Sequence, residues 1–322
     1  MKRIKRIIRK LLRILVKKPF KAVFRRNEVE FNMGINQKFR QYYEVNDIDL
    51  KEKSLIENMD KISCDYIEHT INLYQKVANL KPNAKSICIK NQWCDYDKVE
   101  MENAKNTKQP FPNDIYIEEF MLSNCYGLTD LPKDVFAKIH SGGIIDCGAF
   151  VGDTCVMFNM YFPETQIYAF DPMEKNMAEI NKLIGNGIIK NTTFFHCGVA
   201  DKAGKGNFIV IADNELMAIN ESNNADGKEI MQYDIVTLDE KLGDRKISLI
   251  KADTEGLEML IILGSEKILK EQKPVLAIAM YHTPQDFFDL KSKIAEINPE
   301  YKFMVRRSQV HHPLYELVLI AY

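Results

Sequence analysis

Four short stretches of the chain hold residues whose types and spacing can do chemistry. The first is Asp146-Cys147-Gly148-Ala149-Phe150-Val151-Gly152-Asp153-Thr154, between an apolar run and a helix-like one. Glycines at such a turn let backbone approach a ligand closely, and the helix start offers unpaired N–H groups. The spacing is G-x-x-x-G, not the G-x-G-x-x-G of dinucleotide binding. Asp146 at the strand end would bring negative charge to the crevice, which suits a sulfonium or an amino group better than a pyrophosphate. The plain alternative is a tight structural turn. The second stretch is Phe170-Asp171-Pro172, where an acid at a strand end can accept hydrogen bonds from ribose hydroxyls. The third is Lys251-Ala252-Asp253-Thr254-Glu255-Gly256, and the fourth is Tyr281-His282.

The last two stretches supply acid–base groups. An imidazole titrates near neutrality when unperturbed, so His282 fits a general base, a role worth about 10²–10⁴-fold in rate. It could instead only hold the start of the following helix. Glu255 could orient an acceptor or partner the base, or could be a first-turn acid favoured by the helix dipole. Asp253 could meet a cofactor amino group or the acceptor. Lys251, Tyr281 and Arg306 are acceptor-binding candidates, Arg306 for an anionic acceptor. No resident metal is expected, because no clear ligand cluster stands out; Mg²⁺ bridging the acceptor and Asp253 is the less favoured alternative.

These stretches need elements to position them. Apolar runs at Gly142–Cys147, Gln166–Phe170, Thr192–Cys197, Ser248–Ala252 and Val275–Met280 read as strands. Helix-like segments lie between them at Thr154–Phe162, Met173–Ile184 and from Glu255 to about Leu263. Thr283, Pro284 and Asp286 form a helix start with cap, first-turn proline and first-turn acid, and that helix should run to about Ile297. Such alternation predicts an α/β fold with a parallel sheet covered on both faces. Tyr301–Arg306 and Tyr315–Ala321 are also strand-like. The link between them is too short for a parallel crossover, so the sheet should close on an antiparallel hairpin. Residues 27–135 read as a helical subdomain covering that sheet, and 136–322 as the domain carrying the site. Trp93, the sole tryptophan, fits a core role better than a cleft.

Composition excludes several classes. The chain has 322 residues with 46% apolar and 28% charged side chains, which is ordinary globular composition. The 44 bases and 45 acids nearly balance, but twelve of the bases stand in residues 1–26 without an acid. The rest therefore holds 32 bases against 45 acids, a poor surface for nucleic acid. Ile4, Ile7, Ile8, Leu11, Leu12 and Leu15 recur at helical spacing within that basic start. The stripe is too short to span a bilayer, and the expectation is a helix through residues 1–18 on an anionic membrane surface, with the protein cytoplasmic and peripheral. A solvated tail, or a helix docked on a partner or on the acidic body, is the alternative. The seven cysteines are odd in number and form no CxxC pair, which points to a reducing compartment and small buried thiols.

Taken together, IIDCGAFVGDT, YFPETQIYAFDP, CGVADKAG, VTLDEKL, SLIKADTEGLEMLIILGSEKIL, YHTPQDF and YKFMVRR resemble the FkbM family of methyltransferases over roughly 142–322. The family often has Asp-Val-Glu-Gly where this chain has Asp253-Thr254-Glu255-Gly256. The resemblance implies a Rossmann-like class I methyltransferase sheet, mostly parallel with a C-terminal antiparallel hairpin, and S-adenosyl-L-methionine as methyl donor. It implies cofactor contacts at Asp146, Gly148, Ala149, Phe150, Gly152, Asp153, Thr154, Asp171, Pro172, Gly198, Val199 and Asp253. It also implies a hydroxyl acceptor, often a sugar, glycan or secondary-metabolite intermediate. A nicotinamide-dependent oxidoreductase on a similar sheet and a non-catalytic membrane-attached binding module are the competing readings.

Overall fold

The computed structural model describes residues 28–30, 35–81, 84, 86–88, 93–104, 119–212, 215–218, 230–310 and 312–322. The basic start, with its expected surface helix, lies outside the described residues.

Strands β1 (Glu28–Glu30) and β2 (Ser86–Cys88) pair antiparallel. Between them run α1 (Ile35–Val45), α2 (Ile48–Ile56) and α3 (Lys61–Ala78), followed by α4 (Asp95–Ala104), α5 (Glu119–Asn124) and α6 (Lys133–Lys138). Aspartates cap α2 and α3: Asp47 accepts the Leu50 amide and Asp60 the Ser63 amide. Each such cap is worth about 0.5–2 kcal/mol.

The second half follows the order β3 (Gly143–Cys147), α7 (Asp153–Tyr161), β4 (Ile167–Phe170), α8 (Glu174–Gly185) and β5 (Thr192–Phe195). Then come β6 (Gly198–Val199), β7 (Gly204–Ala212), β8 (Glu215–Ala218), β9 (Ile230–Val236), α9 (Leu238–Leu242) and β10 (Ile247–Ala252). The chain closes with α10 (Glu258–Leu263), α11 (Glu266–Glu271), β11 (Val275–Ala279), α12 (Pro284–Ile297), β12 (Phe303–Arg307) and β13 (Leu317–Ala321). Seven strands form one sheet in the order β12-β13-β11-β10-β3-β4-β5. The pairs from β11 through β5 are parallel, while β13 is antiparallel to both neighbours. Strands β3, β10, β11 and β13 are buried along their whole length. Their sequences are mostly apolar because helices cover both faces, and the charges they carry, Asp146 on β3 and Lys251 on β10, pair with each other. The expected hairpin is the β12–β13 pair, and α12 begins at Thr283, whose hydroxyl accepts the Asp286 amide.

Three features go beyond the sequence reading. A four-stranded sheet, β6-β9-β7-β8, occupies part of the stretch between β5 and β10 that carried no assignment. The N-terminal helices do not keep a separate core: Phe39 stacks on Tyr74 at 3.8 Å and Tyr42 on Phe288 at 5.3 Å, so α1 and α3 close over α12. The hairpin arginines are held in ion pairs and not offered to an acceptor. Arg307 is fully buried, bonds Asp97 at 2.7 Å and lies over the rings of Tyr66 and Trp93. Arg306 pairs with Asp60 at 2.9 Å and with Asp130. Charged side chains are buried only when paired, and here three aspartates of the N-terminal layer supply the partners. Four cysteines are buried as expected, whereas Cys88 is exposed.

Candidate active site

The strand order reverses between β3 and β10, and ligands of open α/β sheets bind outside the strand carboxyl ends at such a point. There β3 gives way to a turn whose geometry is set by Gly148, with φ +75°. A Cβ on Gly148 would stand 1.9 Å from the carbonyl oxygen of Asp253. Only glycine lets the ends of β3 and β10 approach so closely. Beneath the turn, Lys251 is buried and its ammonium lies 3.0 Å from Asp146 Oδ1. It also donates to the carbonyl of Gly148 at 2.8 Å. Burial alone would push this lysine down, but Asp146 and Asp253 outweigh it and hold the ammonium above its ordinary range. Asp146 Oδ2 accepts from Thr154 Oγ1 at 2.6 Å. The pair therefore fastens three pieces of backbone: β3, β10 and the start of α7.

Asp171 follows β4 and ties the same turn from the other side. Its Oδ2 accepts the Phe150 amide at 3.0 Å, and its Oδ1 accepts the Met173 amide and Asn176 Nδ2, both at 2.9 Å. Burial raises its carboxyl above the ordinary value, against those hydrogen bonds. Each carboxylate oxygen has two lone pairs; both on Oδ1 are taken, so Oδ2 has one left to accept a hydroxyl of a ligand. A cavity of about 370 Å³ opens above these residues. Gly148, Phe150, Asp153, Thr154, Asp171, Pro172, Gly198 and Val199 line one part, and Lys251, Asp253, Glu255 and Tyr281 another.

A cluster of acids surrounds His282 at the edge of this cavity. Its Nδ1 lies 3.0 Å from Glu258 Oε1, and its Nε2 is 3.4 Å from Asp253 Oδ1 and 3.8 Å from Glu255 Oε1. Burial would lower the imidazole, yet Glu258, Glu255 and Asp253 prevail and lift it well above its usual value. Asp253 is pulled down despite burial by His282, Lys251 and the hydroxyls of Tyr126 and Tyr281. Those hydroxyls donate to its two oxygens at 2.6 and 3.0 Å. Burial and the Asp253 charge raise both tyrosines well above their ordinary range, so they act as donors. With Nδ1 against Glu258 and Nε2 behind Asp253 and Glu255, the imidazole does not line the cavity and is not placed against an acceptor as its base. Glu255 precedes α10 instead of opening it, with φ +58° in a left-handed turn. The turn exists because Glu258 reaches back: its carboxylate accepts the amides of Thr254 at 2.6 Å and Gly256 at 3.0 Å.

The profile described as the Methyltransferase FkbM domain matches residues 146–308, half of the chain. The chain belongs to the FkbM methyltransferase family. Its sheet is the Rossmann-like sheet of the class I methyltransferases. Among solved structures, the chain is similar to the methyltransferase FkbM of Methylobacillus flagellatus KT, at 18% identity and TM-score 0.45. That comparison covers 73% of this chain and 63% of the other, less than two thirds of its length. It is also similar to Aeropyrum pernix fibrillarin bound to S-adenosyl-L-methionine, at 12% identity and TM-score 0.39, covering 64% and 74%. No curated protein matches the chain.

In this member of the FkbM family most of the residues singled out from sequence line one cavity, but five do not. Asp146 lies under the turn, paired with Lys251, and brings no charge into the crevice. Ala149 is buried and uses its amide on the Phe170 carbonyl. Gly152 faces α8, where a Cβ would meet Leu183 at 2.9 Å. His282 sits behind Asp253 and Glu255. Arg306 is spent on Asp60 and Asp130. Sequence reasoning missed Tyr126, which reaches Asp253 from the N-terminal layer, and Phe208, Gln309 and Glu316 on the cavity wall. The only sequence signal for Tyr126 was the glycine after it: residues 125–127 all have left-handed φ, a turn that delivers the ring.

Proposed function

We propose that the protein is an S-adenosylmethionine-dependent methyltransferase that methylates a hydroxyl of a neutral, polyol-like acceptor such as a sugar or glycan intermediate. The observation that carries the reading is the charge of the cavity. Asp153, Asp171, Asp253, Glu255 and Glu316 line it, and the ammonium of Lys251 is already paired with Asp146. Such a cavity favours a sulfonium donor and an uncharged acceptor, and it disfavours phosphate. In this reading the Gly148 turn and the Phe150 segment cradle the cofactor, and Asp171 Oδ2 accepts one of its ribose hydroxyls. The acceptor oxygen stands opposite sulfur, hydrogen-bonded to Asp253 or Glu255. The C–O bond forms as the C–S bond breaks, and the hydroxyl proton passes to a carboxylate. Positioning of this kind can supply about 7–11 kcal/mol of the barrier.

His282 stands behind Asp253 and Glu255, 3.4 and 3.8 Å from their oxygens, and helps to position the two carboxylates without touching the acceptor. Residues 1–18, from their sequence alone, are proposed to hold the enzyme at an anionic membrane surface. Among the described residues no helix is long and apolar enough to cross a membrane. The test is transfer of a tritiated methyl group to neutral saccharides, to their phosphorylated counterparts and to amines, with products identified by mass spectrometry. O-methylated neutral products support the reading. Transfer confined to phosphorylated or amine acceptors defeats it.

A further inference from the structure

The cluster behind the cavity has the makings of a cation site. Glu258 is fully buried, and both of its oxygens are occupied by the Thr254 and Gly256 amides, with Oε1 also meeting His282 Nδ1. A carboxylate held in this way fixes the tautomer: Nδ1 carries the hydrogen and donates it to Glu258. That is the arrangement by which a carboxylate orients a metal-bound histidine. The other nitrogen, Nε2, is buried and makes no hydrogen bond. It faces the Asp253 and Glu255 oxygens at 3.4 and 3.8 Å. A nitrogen lone pair and two carboxylates so close together repel one another unless something positive lies among them.

We propose that His282 Nε2, Asp253 Oδ1 and Glu255 Oε1 form a binding site for a divalent cation of the Mn²⁺ type. A cation about 2.0–2.2 Å from nitrogen and oxygen ligands places them about 3.0–3.5 Å apart. The separation between His282 and Asp253 already meets this. Glu255, partly exposed at 39%, needs to close by a few tenths of an ångström. One imidazole with two carboxylates suits a hard to borderline ion. Asp253 and Glu255 line the cavity, so the remaining coordination positions point toward acceptor oxygens. The left-handed backbone of Glu255 has a purpose here, because it turns an acid out of the start of α10 and back toward His282. The site does not depend on Asp171 or on methyl transfer.

The experiment is a titration of the full chain with Mn²⁺, following the free-ion electron paramagnetic resonance signal, on the wild type, His282→Ala and Glu255→Gln. S-adenosylhomocysteine binding to each protein is measured separately as a check on folding and on the cofactor half. One Mn²⁺ bound per wild-type chain, weakened at least about tenfold in each variant, is the expected result. Glu255 is half-exposed and its replacement keeps the shape, so that variant decides the matter if His282→Ala does not fold. No binding at millimolar Mn²⁺ overturns the proposal and leaves a proton on Nε2 as the neutralising charge. Binding equally tight in Glu255→Gln overturns it too.

Discussion

Replacing Lys251 by Met should expose how the floor of the site is built. The substitution keeps an unbranched stem of similar length and removes the ammonium. Asp146, fully buried, then loses the charge 3.0 Å away, and Gly148 loses the donor to its carbonyl. Breaking a buried ion pair from one side costs about 3–5 kcal/mol, because the remaining charge is uncompensated. Asp146→Asn should cost a similar amount by stranding the ammonium. Removing both charges together strands neither, so the double variant should be no less stable than the worse single one. The cycle then shows a favourable coupling at least as large as the smaller single cost, about 3 kcal/mol. Urea unfolding monitored by far-ultraviolet circular dichroism measures all four proteins, with unchanged slopes confirming comparable unfolded states. If Lys251→Met costs under about 1 kcal/mol, or the double variant costs the sum of the singles, the ion pair is not what fastens β3 to β10.

Other substitutions probe other joints. Gly148→Ala combines a left-handed residue, about 1–2 kcal/mol, with overpacking against the Asp253 carbonyl, about 1–3 kcal/mol. It should lose about 2–5 kcal/mol in urea unfolding and weaken S-adenosylhomocysteine binding, and a variant as stable as the wild type would refute the close approach. Asp60 is held below the usual carboxylate range by Arg306 and the Ser63 amide, against burial. A depressed folded value contributes stability above the unfolded pKa and loses it as pH falls through the folded one. Asp60→Asn keeps a good helix cap, so it should melt below the wild type at pH 7, with the gap closing below about pH 4; a gap independent of pH contradicts the pairing. A chain starting at Asn27 should fold and bind cofactor but lose sedimentation with anionic vesicles, and equal sedimentation of both chains would remove the surface helix from the account.

The framework of the site was readable because its signals are local. The apolar run into Asp146, the glycine turn and the Thr283-Pro284 helix start each lie within about ten consecutive residues, and each is found where its residues suggest. What escaped depends on residues far apart in the chain. Tyr126 meets Asp253 across 127 positions, and Arg306 and Arg307 are buried only because Asp60, Asp97 and Asp130 arrive from another layer. Nothing within the sequence YHTP indicates that three acids surround His282, so its expected role as a base rested on an unperturbed imidazole. The sequence places Glu255 in the helix because its neighbours are helix-compatible, whereas Glu258, reaching back to the Thr254 amide, starts the helix three residues later. The small sheet around β7 and β9 went unassigned although Phe208 from it reaches the cavity.

The claim that this cavity holds the methyl donor is tested most directly by calorimetric titration with S-adenosylhomocysteine of the wild type and of Asp171→Ala. Hydrogen bonds to a charged group are worth about 1.5–3 kcal/mol, so the variant should bind about 10- to 150-fold more weakly while keeping its circular dichroism spectrum. Equal affinity in a folded Asp171→Ala, or no heat of binding from the wild type, would contradict the account.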